Sequence, residues 1–330
     1  MSLLRSIATV GGYTMASRIL GFIRDAAIAA VVGAGFVADA FFVAFKLPNL
    51  FRRLFAEGAF NAAFVPIYAA ELEKNGRDAA RAFAEAALAV LLWALLIFVV
   101  AAEVAMPWLM RAFAPGFLDE PTKFDLTVSL ARITFPYLLF ISLVSLAGGV
   151  LNAQHRFAAA AATPMLLNLC LIGAVFGLAP LTPTPGHALA WGVFAAGIVQ
   201  GAFLFAALRR AGERLALVRP SFGPKIRLLL RRALPVAVGA GVYQVNLFVD
   251  MIVASFLPSG SISYLFYADR INQLPLGVVG VAVGTALLPM LARQLAAGDT
   301  SGAHHSQNRA IEFALLLTLP AAAALLVIAQ

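Results

Sequence analysis

The chain has 330 residues, 62% of them hydrophobic and 12% charged, with a net charge of +8 and a mean hydropathy of +0.90. That composition excludes a soluble globular domain and describes an all-α polytopic membrane protein. The positive charge does not point to nucleic acid, because the basic residues flank apolar runs of bilayer length.

Nine such runs lie at roughly 6–33, 37–68, 82–106, 126–151, 160–180, 187–208, 233–257, 264–292 and 310–330. With the N-terminus inside, fifteen of the 24 Lys and Arg residues fall in cytoplasmic segments. Arg111 and Lys123 fall outside, in loops, and the remaining seven lie within spans. The asymmetry predicts a cytoplasmic N-terminus.

The first run, GGYTMASRILGFIRDAAIAAVVGAG, puts Arg18 and Asp25 on one helix face and turns Arg24 away. Sequence neighbours such as Arg24 and Asp25 are expected to need partners on other helices. Snorkelling does not serve both arginines at their depth. Gly33, Gly35 and Ala38 imitate a nucleotide-binding GxGxxA, but no strand precedes them, which rejects that reading.

The second run, ADAFFVAFKLPNLFRRLFAEGAFNAAFVP, carries Asp39, Lys46, Arg53 and Glu57 on one narrow stripe at 100° per residue, with Asn49 and Arg52 projecting elsewhere. Pro48 predicts a kink or break beside these charges. Arg53 and Glu57 have the spacing of an i, i+4 pair. The stretch ELEKNGRDAAR, 71–81, reads as a solvated loop of mixed charge.

Runs three to six are more uniformly apolar, with Trp93, Trp108 and Trp191 near the expected interfaces. LRRAGERLALVRPSFGPKIRLLLRR, 208–232, is the longest basic segment. It reads as a stop-transfer charge cluster, the alternative for its KIRLLLRR end being an amphipathic helix on the cytoplasmic leaflet. It divides the chain into a six-helix amino-terminal lobe (1–210), a linker (211–232) and a partial second lobe (233–330). Tyr243, Asn246 and Asp250 share a face in run seven, and Ser263, Tyr267 and Arg270 share one in run eight, with Asp269 beside them and Pro275 beyond. Gly280 and Gly284 make a small-xxx-small packing pair.

A shift of about 225 residues lays the first hairpin on runs seven and eight, matching Asp25 with Asp250 and Gly35 with Gly260. A parallel repeat of this kind predicts two facing six-helix lobes. Because the chain supplies nine runs and stops inside an apolar one, the second lobe is expected to be cut short.

Each intramembrane cation facing lipid at mid-depth would cost about 2.5–3.5 kcal/mol, so the seven must face a hydrated cavity or each other. Arg18, Arg24, Arg52 and Arg270 have no obvious partner in their own helix, and the planar guanidinium suits diphosphate oxygens. No HExxH, nucleophile elbow, Walker motif or metal-ligand cluster is present in the sequence, so neither an enzyme nor ATP-driven pumping has residues to carry it. No cofactor is expected. The single cysteine, Cys170, excludes a disulfide framework.

The blocks SRILGFIRD (17–25), the run beginning at Ala38, FAPGF (113–117), ITFPYLLFISLVSL (133–146) and YADRINQLPLGVVGVAVGTALLP (267–289) resemble the MurJ, or MviN, lipid II flippase family throughout the chain. The resemblance implies the two-lobed architecture of the multidrug/oligosaccharidyl-lipid/polysaccharide exporter superfamily in the bacterial inner membrane. It implies transfer of lipid II, the undecaprenyl-diphosphate-linked peptidoglycan precursor, to the outer leaflet by alternating access. On this resemblance Arg18, Arg24, Arg52 and Arg270 bind substrate, Asp25, Asp39, Arg53, Glu57 and Asp269 serve in gating and ion pairs, and Asp250 is the coupling-ion candidate. Sodium or membrane-potential coupling, and contact with membrane lipids and the peptidoglycan synthesis and division machinery, are further expectations. The family has fourteen helices, so five lie beyond these nine. Two other readings stay open: a cation-coupled drug or small-solute antiporter, whose cavity should be acidic, and a truncated, non-transporting scaffold whose charges only staple helices.

Overall fold

The computed structural model describes the backbone of residues 3–275 and 281–328. Side chains are described within those ranges except 3–8, 54–57, 243, 272, 274–275, 281–286, 288–289, 317, 321, 324–325 and 327–328. No strand occurs among the described residues. Among the described residues the α-helices are, in order, α1 (Leu3–Val32), α2 (Phe36–Phe51), α3 (Asn61–Phe113), α4 (Pro121–Thr134), α5 (Tyr137–Ala153), α6 (Phe157–Gly177), α7 (Pro185–Arg210), α8 (Pro224–Ser255), α9 (Ser261–Pro275), α10 (Val281–Ala296) and α11 (Thr300–Ile328). Among the described residues, five stretches meet the length and apolarity of a membrane span: Gly58–Phe113, Pro121–Ala153, Phe157–Gly177, Pro185–Arg210 and Pro224–Ser255.

The breaks have local causes. Pro136 has no N–H to donate, and the helical path divides there into α4 and α5. The 53 residues of α3 would run ~80 Å if straight, far more than a bilayer core. A bend at Gly76, with φ 79 and ψ −177, divides it in two. The stretch 71–81 is therefore exposed, as expected, but helical with a sharp bend rather than a loop. Residues 224–232, grouped with the linker on sequence grounds, form the first turns of α8.

Residues 1–263 form one compact unit and residues 264–330 a second. In the first, α1 packs on α6, α6 on α7, α5 on α3 and α7, and α2 on α4, while α8 lies against α3 and the segment joining α2 to α3. Small residues permit the close approaches: a Cβ at Gly192 would stand 2.6 Å from that of Ala174, and one at Gly197 would stand 3.0 Å from Phe140. Aromatic rings fill the spaces between, with Phe51 edge-on to both Phe98 and Phe135, and Phe64 stacked between Phe60, Tyr68 and Phe83. Trp93, Trp108 and Trp191 are exposed, as interface anchors are. In the second unit α10 packs on α11 across a turn at Gly298, φ 76. Gln294 donates to Ser306 Oγ over 3.0 Å there.

Both hairpins matched by the 225-residue shift turn on a left-handed glycine, Gly33 (φ 72) and Gly260 (φ 97). The expected packing pair of Gly280 and Gly284 lies outside the described residues, since Gly280 does.

Candidate functional site

Two polar clusters and one irregular helix segment carry the charges of the first unit. The first cluster centres on Asp39, in the first turn of α2 and 1% exposed. Its Oδ2 accepts from Lys123 Nζ (3.2 Å) and the Gly260 N–H (2.6 Å), and its Oδ1 from the Ser263 N–H (2.8 Å) and Ser263 Oγ (2.5 Å). The carboxylate thus ties α2 to α4 and caps the start of α9, where N–H groups have no partner within the helix. Lys123, 2% exposed, also donates to Ser259 Oγ at 2.8 Å and sits 4.2 Å from the Phe117 ring centre. Lys123 was expected as a loop cation on the outside. The structure buries it in α4, where Asp39 and Ser259 offset the loss of water.

Next to this cluster, the Gly116 N–H donates to Ser255 Oγ over 3.0 Å. A Cβ on Gly116 would overlap the Ser255 carbonyl and the Phe256 nitrogen. Gly116→Ala is therefore expected to destabilise the protein by about 1–3 kcal/mol, read as a lower unfolding midpoint in detergent. An unchanged midpoint would show that α8 does not press on this turn.

The second cluster holds Arg24, 8% exposed. Its Nε and Nη2 donate to Asp25 Oδ1 at 2.8 and 2.6 Å, and its Nη1 donates to Asn168 Oδ1 at 2.8 Å. Asn168 in turn donates to the Ser17 carbonyl over 2.9 Å, tying α6 to α1. This corrects the expectation that Arg24 and Asp25 do not meet. Their Cα–Cβ bonds do diverge by about 100°, but the long arginine stem swings its fork back over the short aspartate. Arg18, on the same helix, is exposed and makes no hydrogen bond or ion pair among the described residues.

The irregular segment begins after Pro48. Asn49 Nδ2 donates to the Phe45 carbonyl at 2.9 Å, and its Oδ1 receives Arg52 Nε at 3.1 Å, so Asn49 links the disturbed backbone to Arg52. From Arg52 to Phe60 the chain is a π-helix of nine residues, a rare geometry that marks functional positions. The 3.6-residue period that aligned Glu57 with Asp39, Lys46 and Arg53 therefore ends at Arg52. Arg53 is exposed and Lys46 half-buried. The Glu57 side chain, and with it the expected Arg53–Glu57 pair, lies outside the described residues. Beyond the segment, Asn61 donates to Ser145 Oγ over 2.8 Å and restores a fixed contact with α5.

A π-helix holds more residues per turn than an α-helix, so removing one residue lets it relax without turning the helices on either side. Deleting Ala56 is expected to leave helicity and the unfolding midpoint nearly unchanged, by circular dichroism, while removing function that depends on the placement of Arg52. Loss of the fold would show that the π geometry is a packing requirement instead.

On α8, Asn246 and Asp250 are exposed or half-buried at the helix surface, while the Tyr243 side chain lies outside the described residues. In the second unit, Arg270 Nη1 donates to Gln273 Oε1 at 3.2 Å and its guanidinium lies 5.2 Å from the Phe266 ring centre. Gln273 also donates to Asp269 Oδ2 at 2.5 Å. No metal-holding group of acids, histidines and cysteines occurs among the described residues. Sequence reasoning passed over Lys123 and Asn168. For Asn168 a signal existed, a lone amide inside the apolar run PMLLNLCLIG; for Lys123 none did.

The family model described as "Lipid II flippase MurJ" matches residues 28–330. A probable lipid II flippase MurJ of Rhizobium meliloti is 51% identical over 335 residues, covering 100% of this chain and 62% of its own length. The lipid II flippase MurJ of Burkholderia cenocepacia is 38% identical, with 98% and 64% covered. The chain thus spans less than two thirds of these relatives. Among solved structures, a lipid II flippase MurJ in an inward closed conformation has a TM-score of 0.77 at 28% identity, covering 97% of this chain and 65% of that one. An inward-facing multidrug resistance MATE transporter of the MOP superfamily has a TM-score of 0.72 at 15% identity, covering 94% and 70%, a likeness of fold alone.

Proposed function

Since the chain belongs to the lipid II flippase MurJ family, we propose that it moves lipid II from the inner to the outer leaflet of the bacterial inner membrane by alternating access. The family match across residues 28–330 carries this reading. The substrate's diphosphate is the group that Arg18, Arg24, Arg52 and Arg270 bind, through charge-assisted and bidentate hydrogen bonds. Arg18 is the arm open to solvent in the first unit, and Arg24 is held ready by Asp25 and Asn168.

The Asp39 cluster supports an outer gate. It joins α2, α4 and the start of α9 at the end that the charge asymmetry places outside, and it consists of hydrogen bonds and one ion pair rather than interlocked apolar side chains. Such a closure is dry while shut and separates once water reaches the carboxylate. Asp25, Arg53, Glu57 and Asp269 take the remaining gating and ion-pair roles. Asp250, exposed on α8, is the residue for a coupling cation, with an ion gradient or the membrane potential as the energy source. The chain divides functionally into a first lobe (1–210), a linker (211–232) and the beginning of a second lobe (233–330), and it works beside the peptidoglycan synthesis and division machinery.

The test is leaflet accessibility of lipid II in cells depleted of their own flippase and carrying only this chain. Restored exposure of lipid II to an externally added lipid II-cleaving enzyme is expected. Lipid II that stays protected, with the chain verified in the membrane, overturns the proposal. A drug antiporter of similar fold would leave lipid II protected and export a cationic dye instead.

A further inference from the structure

A cavity of about 410 Å³ lies at the C-terminal end of α7, the end that the charge asymmetry assigns to the cytoplasm, lined by Phe205, Leu208, Arg209, Glu213, Arg214 and Leu215. Its shape results from how α7 stops. Gly212, φ 86, reverses the chain, the Gly212 and Glu213 N–H groups cap the carbonyls of Arg209 and Leu208, and residues 214–215 return beside the last turns. Glu213 is buried and accepts a 2.8 Å hydrogen bond from Gln154 Nε2, which also reaches Tyr68 Oη at 3.1 Å. The reversal is therefore pinned to the bundle. The next residues of the chain are pinned as well, by the Ala216 N–H donating to Glu85 Oε1 (2.9 Å) and Lys225 Nζ donating to Glu71 Oε2 (2.6 Å).

These contacts engage Glu213 with Gln154, Glu85 with Arg81 and the Ala216 N–H, and Glu71 with Lys225, and leave Arg209 and Arg214 over. Among the described residues, the guanidinium groups of Arg209 and Arg214 make no hydrogen bond or ion pair, and both are exposed. Apolar side chains stand nearby. Leu217 and Phe222, in the non-helical stretch just after the cavity, are 62% and 58% exposed. Ile198, 46% exposed, stands two turns before Phe205 on the same face of α7 and extends that face away from the cavity along the helix. Two uncommitted guanidinium forks, a cavity of headgroup size lined by both charged and apolar side chains, and an apolar track for acyl chains occur together.

We infer that this cavity binds the phosphodiester headgroup of an anionic glycerophospholipid of the inner leaflet, with Arg209 and Arg214 as its ligands and the acyl chains lying along Phe205 and Ile198. Arginine forks match a phosphodiester bidentately, and the volume lies within the range of small-molecule sites. A mere stop-transfer cluster would need the charges but neither the cavity nor the pinned reversal. The site does not depend on the flippase reading, and its test reads lipid retention, not transport.

The protein is reconstituted in phosphatidylcholine vesicles containing phosphatidylglycerol, extracted gently, and its retained lipids are counted by native mass spectrometry. One retained phosphatidylglycerol per chain is expected, with retention at least tenfold weaker in R209Q/R214Q and little changed in R219Q/R231Q, which removes the same charge elsewhere. R209K/R214K keeps the charge and loses the forks, so it should bind several-fold more weakly while remaining folded by circular dichroism. Equal loss in the cavity and control variants, or wild-type retention by R209K/R214K, overturns the site. So does protection from thermal unfolding by glycerol phosphate equal to that by phosphatidylglycerol, since a soluble anion would then be the ligand.

Discussion

Asp39→Ala is expected to destabilise the protein by about 3–5 kcal/mol, the usual cost of stripping one partner from a buried ion pair. The change leaves Lys123, 2% exposed, without its counter-ion, and takes the carboxylate from the Gly260 and Ser263 N–H groups and the Ser263 hydroxyl. Reversible unfolding in mixed micelles, followed by circular dichroism, measures it. Adding Lys123→Met should recover part of the loss by removing the unpaired charge, leaving the uncapped start of α9 as the remainder. A loss below about 1 kcal/mol, in the range of surface substitutions, would mean that water already reaches Asp39. On the proposed gate, transport should fail in Asp39→Ala whatever its stability in the membrane, because Ser259 Oγ still receives Lys123 but does not replace the carboxylate that joins the other donors to α2.

Arg24→Ala is expected to abolish rescue of a flippase-depleted bacterium, and Arg24→Lys to fail nearly as completely. Lysine keeps the charge, but one ammonium does not span both the Asp25 and the Asn168 positions that the fork bridges. Arg270→Ala should behave like Arg24→Ala if both bind diphosphate. Asn168→Ala separates position from charge. It removes one charge-assisted hydrogen bond, worth about 1.5–3 kcal/mol, so a decrease in flipping of tenfold or more is expected with Arg24 still present. Normal growth with stably expressed Arg24→Ala would exclude Arg24 from substrate binding.

Much of the site was legible in the sequence because lipid penalises charge so strongly. Asp39, Arg24, Arg52 and Arg270 stand out in apolar runs, and a charge in such a run requires a partner or a hydrated cavity wherever the helices pack. Pro48 announced the disturbance that the chain resolves as a π-helix. Lys123 was not legible: it stands beside Pro121 among acids and polar residues, where a solvated lysine is ordinary, and only the fold carries it under Asp39. The Arg24–Asp25 pair was hidden for a different reason. Helical spacing reports where a Cα–Cβ bond points, not where the end of a long side chain arrives.

The sequence by itself determined the solvent, the helical class, the family and the places where charge enters the membrane, because hydrophobicity and its interruptions are properties of the chain taken locally. Only the tertiary structure decided which charges are committed. Asp39 is tied to Lys123, Gly260 and Ser263, and Arg24 is positioned by Asp25 and Asn168, whereas the guanidinium groups of Arg209 and Arg214 meet no partner among the described residues. A hydrogen bond depends on ångström distances between groups that can stand 224 residues apart in the chain, and no spacing rule reaches that far.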